Sequence, residues 1–274
     1  MSNPSSDRPR YKNPPVVERV LSIVGDIKTE TFYSQFESWR TLVTETFPEY
    51  DPIKEWMIKI EQNKEGMPLL GQGLPEVKIT HRFWRRNELG KRFLSMRILP
   101  DKMTLNLHRE EGRPHTYEEL RHEVEQWFPR WYNHFGLTGC STVQLHYVNI
   151  LSPQVTPQLT DREGSVLVGK ALKVFSGVPT RHHGIIPPYD CQMGLSIDPK
   201  RDCAFHLRVR GLLASSAQGS AVRVDFVAHI DKGIGGLSLS SVVVEADFLH
   251  QVMVEHFEAI FTDEAKQGFE PEAK

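Results

Sequence analysis

Cysteine is scarce in this 274-residue chain. Its three copies, Cys140, Cys191 and Cys203, fall at none of the C-x-x-C spacings that zinc and redox sites use. An odd number of scattered thiols fits reduced, mostly buried cysteines in a cytoplasmic setting. Long apolar runs are missing too. Val242 to Val244 and Val166 to Val168 are typical, against the roughly 20 residues that span a bilayer. No apolar stretch follows a basic start, so neither a secretory signal nor membrane insertion is expected. Net charge is almost absent, with 33 Lys and Arg against 35 Asp and Glu. H-E-x-x-H does not occur, and Gly236-Leu237-Ser238-Leu239-Ser240 lacks the second glycine of a nucleophile elbow. What remains is an ordinary globular composition, 39% hydrophobic and 25% charged, long enough to bury a core without disulfides or metal.

The apolar pattern predicts an α+β fold. Residues 1–10 are polar, rich in Pro and Ser, and expected to be disordered. Val16 to Val24 is a β-branched run ending at Gly25-Asp26 and predicts a strand. Phe32, Phe36, Trp39, Leu42, Val43 and Phe47 recur at steps of three and four, which predicts a helix ended by Pro48. Ile53 to Ile60 suits a strand or a helical turn, and Gly66 to Pro75 a loop. From 78 to 109 the period changes to two. Leu94, Met96 and Ile98 face Met103, Leu105 and Leu107 across Pro100-Asp101, as in an antiparallel hairpin with one wet face. Thr116 and Glu119 form a capping box ahead of Leu120, Val124, Trp127, Phe128, Trp131 and Phe135, a second helical stripe. Pro129 should kink or split that helix.

The second half repeats the order. Thr142 to Leu151 predicts a strand, Gly164 to Phe175 a helix and Cys191 to Ile197 a strand. Cys203 to Arg210 and Ala221 to Ile230 predict a hairpin, and the stripe from Leu249 to Phe261 a closing helix with Asp247 near its start. Two long amphipathic helices about 130 residues apart, each behind a hairpin, suggest a two-fold pseudo-repeat. The expected division is 11–137 and 138–274, two α+β halves packed as one unit on a mainly antiparallel sheet.

The segment Tyr11-Lys12-Asn13-Pro14-Pro15-Val16-Val17-Glu18 resembles the opening motif of a sporadically distributed family of uncharacterised prokaryotic proteins, which start with Tyr-x-Asn-Pro-Pro, two apolar residues and Glu. Leu145 to Ile150 and the closing helix from Leu249 to Phe269 are similar to later segments of that family, with His146 where it usually carries Arg. The resemblance implies a bacterial or archaeal cytosolic protein with no catalytic set or cofactor to carry over, and its patchy distribution suits an accessory or defence-related factor.

Charge is unevenly spread. Residues 78–109 hold nine basic side chains against Glu88 and Asp101, a local +7 that leaves -9 on the rest. Arg82, Arg85, Arg86, Arg92 and Arg97 interleave with Trp84 and Phe93, as phosphate neutralisation with base stacking would require. The ordinary alternative is a solvated sheet face whose cations pair with the acidic segments Glu110 to Glu125 and Glu245 to Glu272. Gly164 to Ala171 matches phosphate-loop spacing except that Ala171 lacks the hydroxyl a magnesium ion needs. Adjacent His182 and His183, with Cys191 downstream, are the best candidate metal ligands. These features predict a non-enzymatic binding or interaction protein that acts through a basic surface in 78–109, with an acidic protein or nucleic acid as its partner. The alternatives are a nucleic-acid binder and a metal-dependent hydrolase around His182 and His183. No cofactor is expected.

Overall fold

Alternating apolar side chains build one wide sheet. The computed structural model describes residues 11–57, 60–62, 68–70, 76–110, 113, 115–162, 164–175, 190–212, 221–233 and 235–271. Along the chain run β1 (Val16–Gly25), α1 (Thr29–Thr44), β2 (Glu49–Tyr50), β3 (Ile53–Met57), β4 (Ile60–Gln62), β5 (Pro68–Leu70), β6 (Glu76–Arg86), β7 (Arg92–Leu99), β8 (Lys102–His108) and α2 (Tyr117–His134). There follow β9 (Cys140–Leu151), α3 (Val168–Ala171), β10 (Asp190–Asp198), β11 (Cys203–Leu212), β12 (Ala221–Asp231), α4 (Leu239–Ile260) and α5 (Asp263–Gly268). Ten strands form a single antiparallel sheet in the order β10-β11-β12-β9-β1-β8-β7-β6-β2, with β3 also on β6, while β4 and β5 pair separately. The fold is α+β.

Register fixes the two faces. Leu94, Leu107, Met96, Leu105, Ile98 and Met103 pair across β7 and β8 and continue through Leu21 and Leu145 to Ala228 on β12. All are buried, and α1, α2 and α4 pack on this side. Phe36 of α1 lies against His81, Glu123 of α2 takes Arg85, and His256 of α4 stacks on Phe205. Trp39, Trp127, Trp131 and Phe135 fill the space between α1 and α2. Burying a side chain of this kind contributes about 1.5–3 kcal/mol.

Several local expectations change. The stretch expected to be helical from Gly164 to Phe175 holds only the four residues of α3 and a 3-10 turn at Lys173–Phe175, because Leu167 is a poor cap and Leu172 turns extended to bridge Phe261. The closing helix starts ten residues before Leu249, at Leu239. Ser238 caps it by accepting from the Ser241 amide, so Asp247 lies mid-helix. It stops at Phe261, and Thr262 caps a separate α5. Pro129 does not split α2, which runs to His134 and ends with Gly136 at φ 63°. Part of the expected 66–75 loop is strand β5. The capping box at Thr116 and Glu119 is present. Residues 1–10, on which disorder was expected, and His182 and His183 lie outside the described residues.

Candidate interaction site on the open sheet face

The side of the sheet opposite the helices carries the alternate residues of each strand. One lateral row is Trp84, Ser95, Asn106, Val20, His146, Val227 and His206. A second passes from Arg82 through Arg97 and Thr104 to Ser22 and Gln144. Sequence alternation makes this face polar, yet it is not simply wet. Ser95 is 0% exposed, Asn106 2% and Trp84 7%. Ser22 and Thr104 satisfy each other with a 3.0 Å hydroxyl contact, and Asn106 Nδ2 donates to Glu18 at 2.7 Å. Ser95 Oγ, Asn106 Oδ1, Trp84 Nε1, His108 Nε2 and Arg97 Nε are buried and make no hydrogen bond. Such atoms cost about 1–3 kcal/mol each, and a cluster of them on adjacent strands needs an explanation.

Most of the basic residues of 78–109 have partners. Arg86 and Arg92 share Glu49, Arg82 and Arg92 reach Asp51, and Arg85, opposite Leu94 on the helix side, pairs with Glu123. Glu123 belongs to the acidic segment expected to pair. Glu49 and Asp51, which flank Tyr50, do not. They arrive because β2 pairs with β6 at Trp84 and Phe83. Arg82 and Arg92 both lie over the Trp84 ring, 5.1 and 5.2 Å from its centroid. The indole therefore has guanidinium groups where stacked bases would sit. Arg109 holds Asn13 and the Pro14 carbonyl.

Arg97 differs from these. It stands between Arg82 and Thr104, half-buried, and no ion pair to it is seen among the described residues. Burial lowers its pKa, with Glu18 and Glu55 acting in the opposite direction and Arg82 in the same one. Around Trp84, Arg82, Arg86 and Arg92 are paired with Glu49 and Asp51, while Glu18 and Glu55 act on Arg97 from a distance. Beside it, Val17, Glu18, His108, Arg109 and Glu110 line a shallow cavity of about 460 Å³. Burial holds the His108 imidazole below its ordinary value, with nearby Arg97 and Arg82 adding to the effect against Glu18.

The N-terminal motif meets this site. The Tyr11 hydroxyl donates to Glu258 of α4 at 2.9 Å, its ring packs on Phe257 and Phe269, and Asn13 is held by Arg109. These contacts tie β1 to the C-terminal helices. Glu18, the last motif residue, is on the open face with Asn106 and His108. Farther along the same face, Asp225 is 3% exposed and ringed by His146, Arg210 and Arg223. Burial alone would raise its carboxyl, but hydrogen bonds from His146, Arg223 and Arg210 outweigh that and hold it far below the usual carboxylate range.

The cysteines separate by environment. Burial pushes the Cys140 thiol up to about 12 and that of Cys203 up to about 11, so neither is a nucleophile near neutrality. Cys191, expected to be buried, is instead exposed on β10. Among the described residues no group of three or more His, Cys, Asp or Glu is placed to hold a metal, and no helix is long and apolar enough to cross a membrane. No family model, curated protein or solved structure matches the chain.

Proposed function

We propose that this is an interaction protein that receives an acidic partner on the open face of its sheet, at Arg97 and its neighbours Arg82, Trp84, Arg86 and Arg92. The observation that carries the proposal is Arg97 itself. A half-buried guanidinium with no ion pair among the described residues is costly even with Glu18 and Glu55 in its field, and a carboxylate set directly on it by a partner would relieve that cost with a charge-assisted hydrogen bond.

Nucleic-acid binding is the second proposal, favoured only by the gathering of Arg82, Arg86, Arg92 and Arg97 on β6 and β7. The guanidinium groups over Trp84 count against base stacking there. A metal-dependent hydrolase around His182, His183 and Cys191 has no described geometry behind it. The prokaryotic accessory role implied by the Tyr11 to Glu18 motif is compatible with an interaction protein.

The halves 11–137 and 138–274 are proposed to be a duplicated unit. In support, the strand order β10-β11-β12-β9 mirrors β6-β7-β8-β1 about the β1–β9 seam, and each three-strand meander is followed by a long helix, α2 or α4.

The test is fluorescence anisotropy with labelled polyglutamate and labelled oligothymidylate of equal charge, on the wild type and on Arg97→Met. Polyglutamate is expected to bind more tightly, and Arg97→Met to weaken it about tenfold, the loss of one charged contact. The same variant is expected to unfold at equal or higher urea concentration, since it removes an unpaired half-buried charge. Tighter oligothymidylate binding, or binding indifferent to Arg97, overturns the proposal.

A further inference from the structure

The Arg97 site carries an internal counter-charge that is not bonded to it. Glu18 acts on Arg97 ahead of Glu55, but its Oε1 accepts from Asn106 Nδ2 at 2.7 Å and lies 3.7 Å from Nε2 of His108, beyond hydrogen-bond reach. His108 in turn packs on Trp84, with ring centroids 5.1 Å apart, and lines the shallow cavity beside the site. The charged and titratable groups that face it are Glu18 from β1, Arg97 from β7, Arg82 from β6 and His115 ahead of α2. Two more share the cavity and are engaged elsewhere: Arg109 with Asn13 and the Pro14 carbonyl, and Glu110 with Asn87 and His115. Among the described residues, Glu18 is therefore the carboxylate placed to meet an imidazolium at this position.

We infer that His108 and Glu18 form a proton-operated control on this site: protonation of His108 draws Glu18 into an ion pair and so tightens the hold of Arg97 on an acidic polypeptide. The inference rests on the reading of Arg97 as the place where that partner binds. With a neutral imidazole, the Glu18 charge is felt by Arg97 and opposes an incoming carboxylate. An imidazolium donates from both ring nitrogens. Its Nε2 then closes the 3.7 Å gap to Glu18 with a charge-assisted hydrogen bond. The Glu18 charge is matched where it stands, and the surface around Arg97 gains one positive unit. Burial, Arg97, Arg82 and His115 all favour neutral His108 and only Glu18 opposes them, so the proton is absent near neutrality and arrives on mild acidification. Linkage makes the effect reciprocal, and an acidic ligand seated at Arg97 favours the proton on His108 in equal measure.

Fluorescence anisotropy of the full chain with labelled polyaspartate, at about pH 7.5 and about pH 5.5, tests it. Aspartate, with an ordinary value of about 3.9, stays ionised at both. The dissociation constant is expected to fall about three- to tenfold on acidification, the effect of one added charge at this range. Most of that gain is expected to vanish in His108→Gln, which separates His108 from the other histidines. Glu18→Gln is expected to tighten binding at the higher pH and to leave little further gain at the lower one. Circular dichroism at both pH values checks that each variant is folded. Histidine proton resonances, with His108 identified by its loss in His108→Gln, are expected to show a midpoint that polyaspartate raises. Arg97-dependent binding with no gain at acid pH, a gain that His108→Gln retains, or a His108 midpoint that polyaspartate leaves in place overturns this inference alone. Absence of binding, or binding that Arg97→Met leaves unchanged, overturns both this inference and the reading on which it rests.

Discussion

Tyr117, the first residue of α2, lies flat on His250 of α4, with ring centroids 4.0 Å apart and planes 12° from parallel. The contact belongs to a chain of polar bonds. The Tyr117 hydroxyl donates to Asp247 at 2.9 Å, Arg121 donates to the same carboxylate at 2.8 Å, and the Tyr147 hydroxyl meets His250 Nδ1 at 2.8 Å. Helices from the two halves of the chain are thus locked to each other and to β9. Tyr117→Phe keeps the stack and frees one acceptor that Arg121 still satisfies, so a loss of about 1 kcal/mol is expected. Tyr117→Ala loses the buried ring as well and is expected to cost about 3–5 kcal/mol by urea denaturation.

Asp225 is the most heavily partnered buried carboxylate of the open face. Replacing it with Asn leaves Arg210, Arg223 and His146 crowded without a counter-charge, and a loss of about 3 kcal/mol is expected. A loss under 1 kcal/mol in the urea midpoint analysis would show that the cluster is screened by solvent.

Acid should destabilise the protein well before carboxylates protonate. Burial is the leading cause that lowers His81, His108 and His229 in the folded state. The unfolded chain then binds more protons than the folded one as pH falls through the ordinary histidine value of about 6.5. Stability is expected to be level above that range and to decline as pH drops through it. A second decline follows when Asp225, held low in the fold, meets the ordinary carboxylate range. Urea midpoints measured against pH check this, and a rise in stability on acidification in the histidine range would contradict it.

Thiol labelling under native conditions at neutral pH should stop at one modification per chain, on Cys191. Cys140 and Cys203 are buried with raised pKa values and should react only on unfolding. Mass spectrometry of the labelled peptides checks the site.

The sheet was most legible where one face is uniformly apolar. Leu94 to Ile98 and Met103 to Leu107 alternate without a break, and they form β7 and β8 with the expected turn between them. The start of α4 was hidden because Val242, Val243 and Val244 are consecutive and β-branched, so the 3.6-residue period emerges only around Leu249. Gly164 to Phe175 misled in the other direction, since spaced apolar residues there fill a gap beside Phe261 without extended helix. The carboxylates that neutralise the basic strands, Glu49 and Asp51, come from the far side of a β2–β6 pairing that no local pattern announces. Ser95 and Asn106 illustrate the limit of alternation, which assigns them to the polar face and says nothing of their burial.

Hydrogen–deuterium exchange of the full chain with and without saturating polyglutamate tests the central claim most directly. Slowed exchange in β6, β7 and β8, centred on Arg97 and lost in Arg97→Met, is the result expected. Protection confined to β11 and β12, or a footprint that Arg97→Met leaves unchanged, would contradict the assignment of the site.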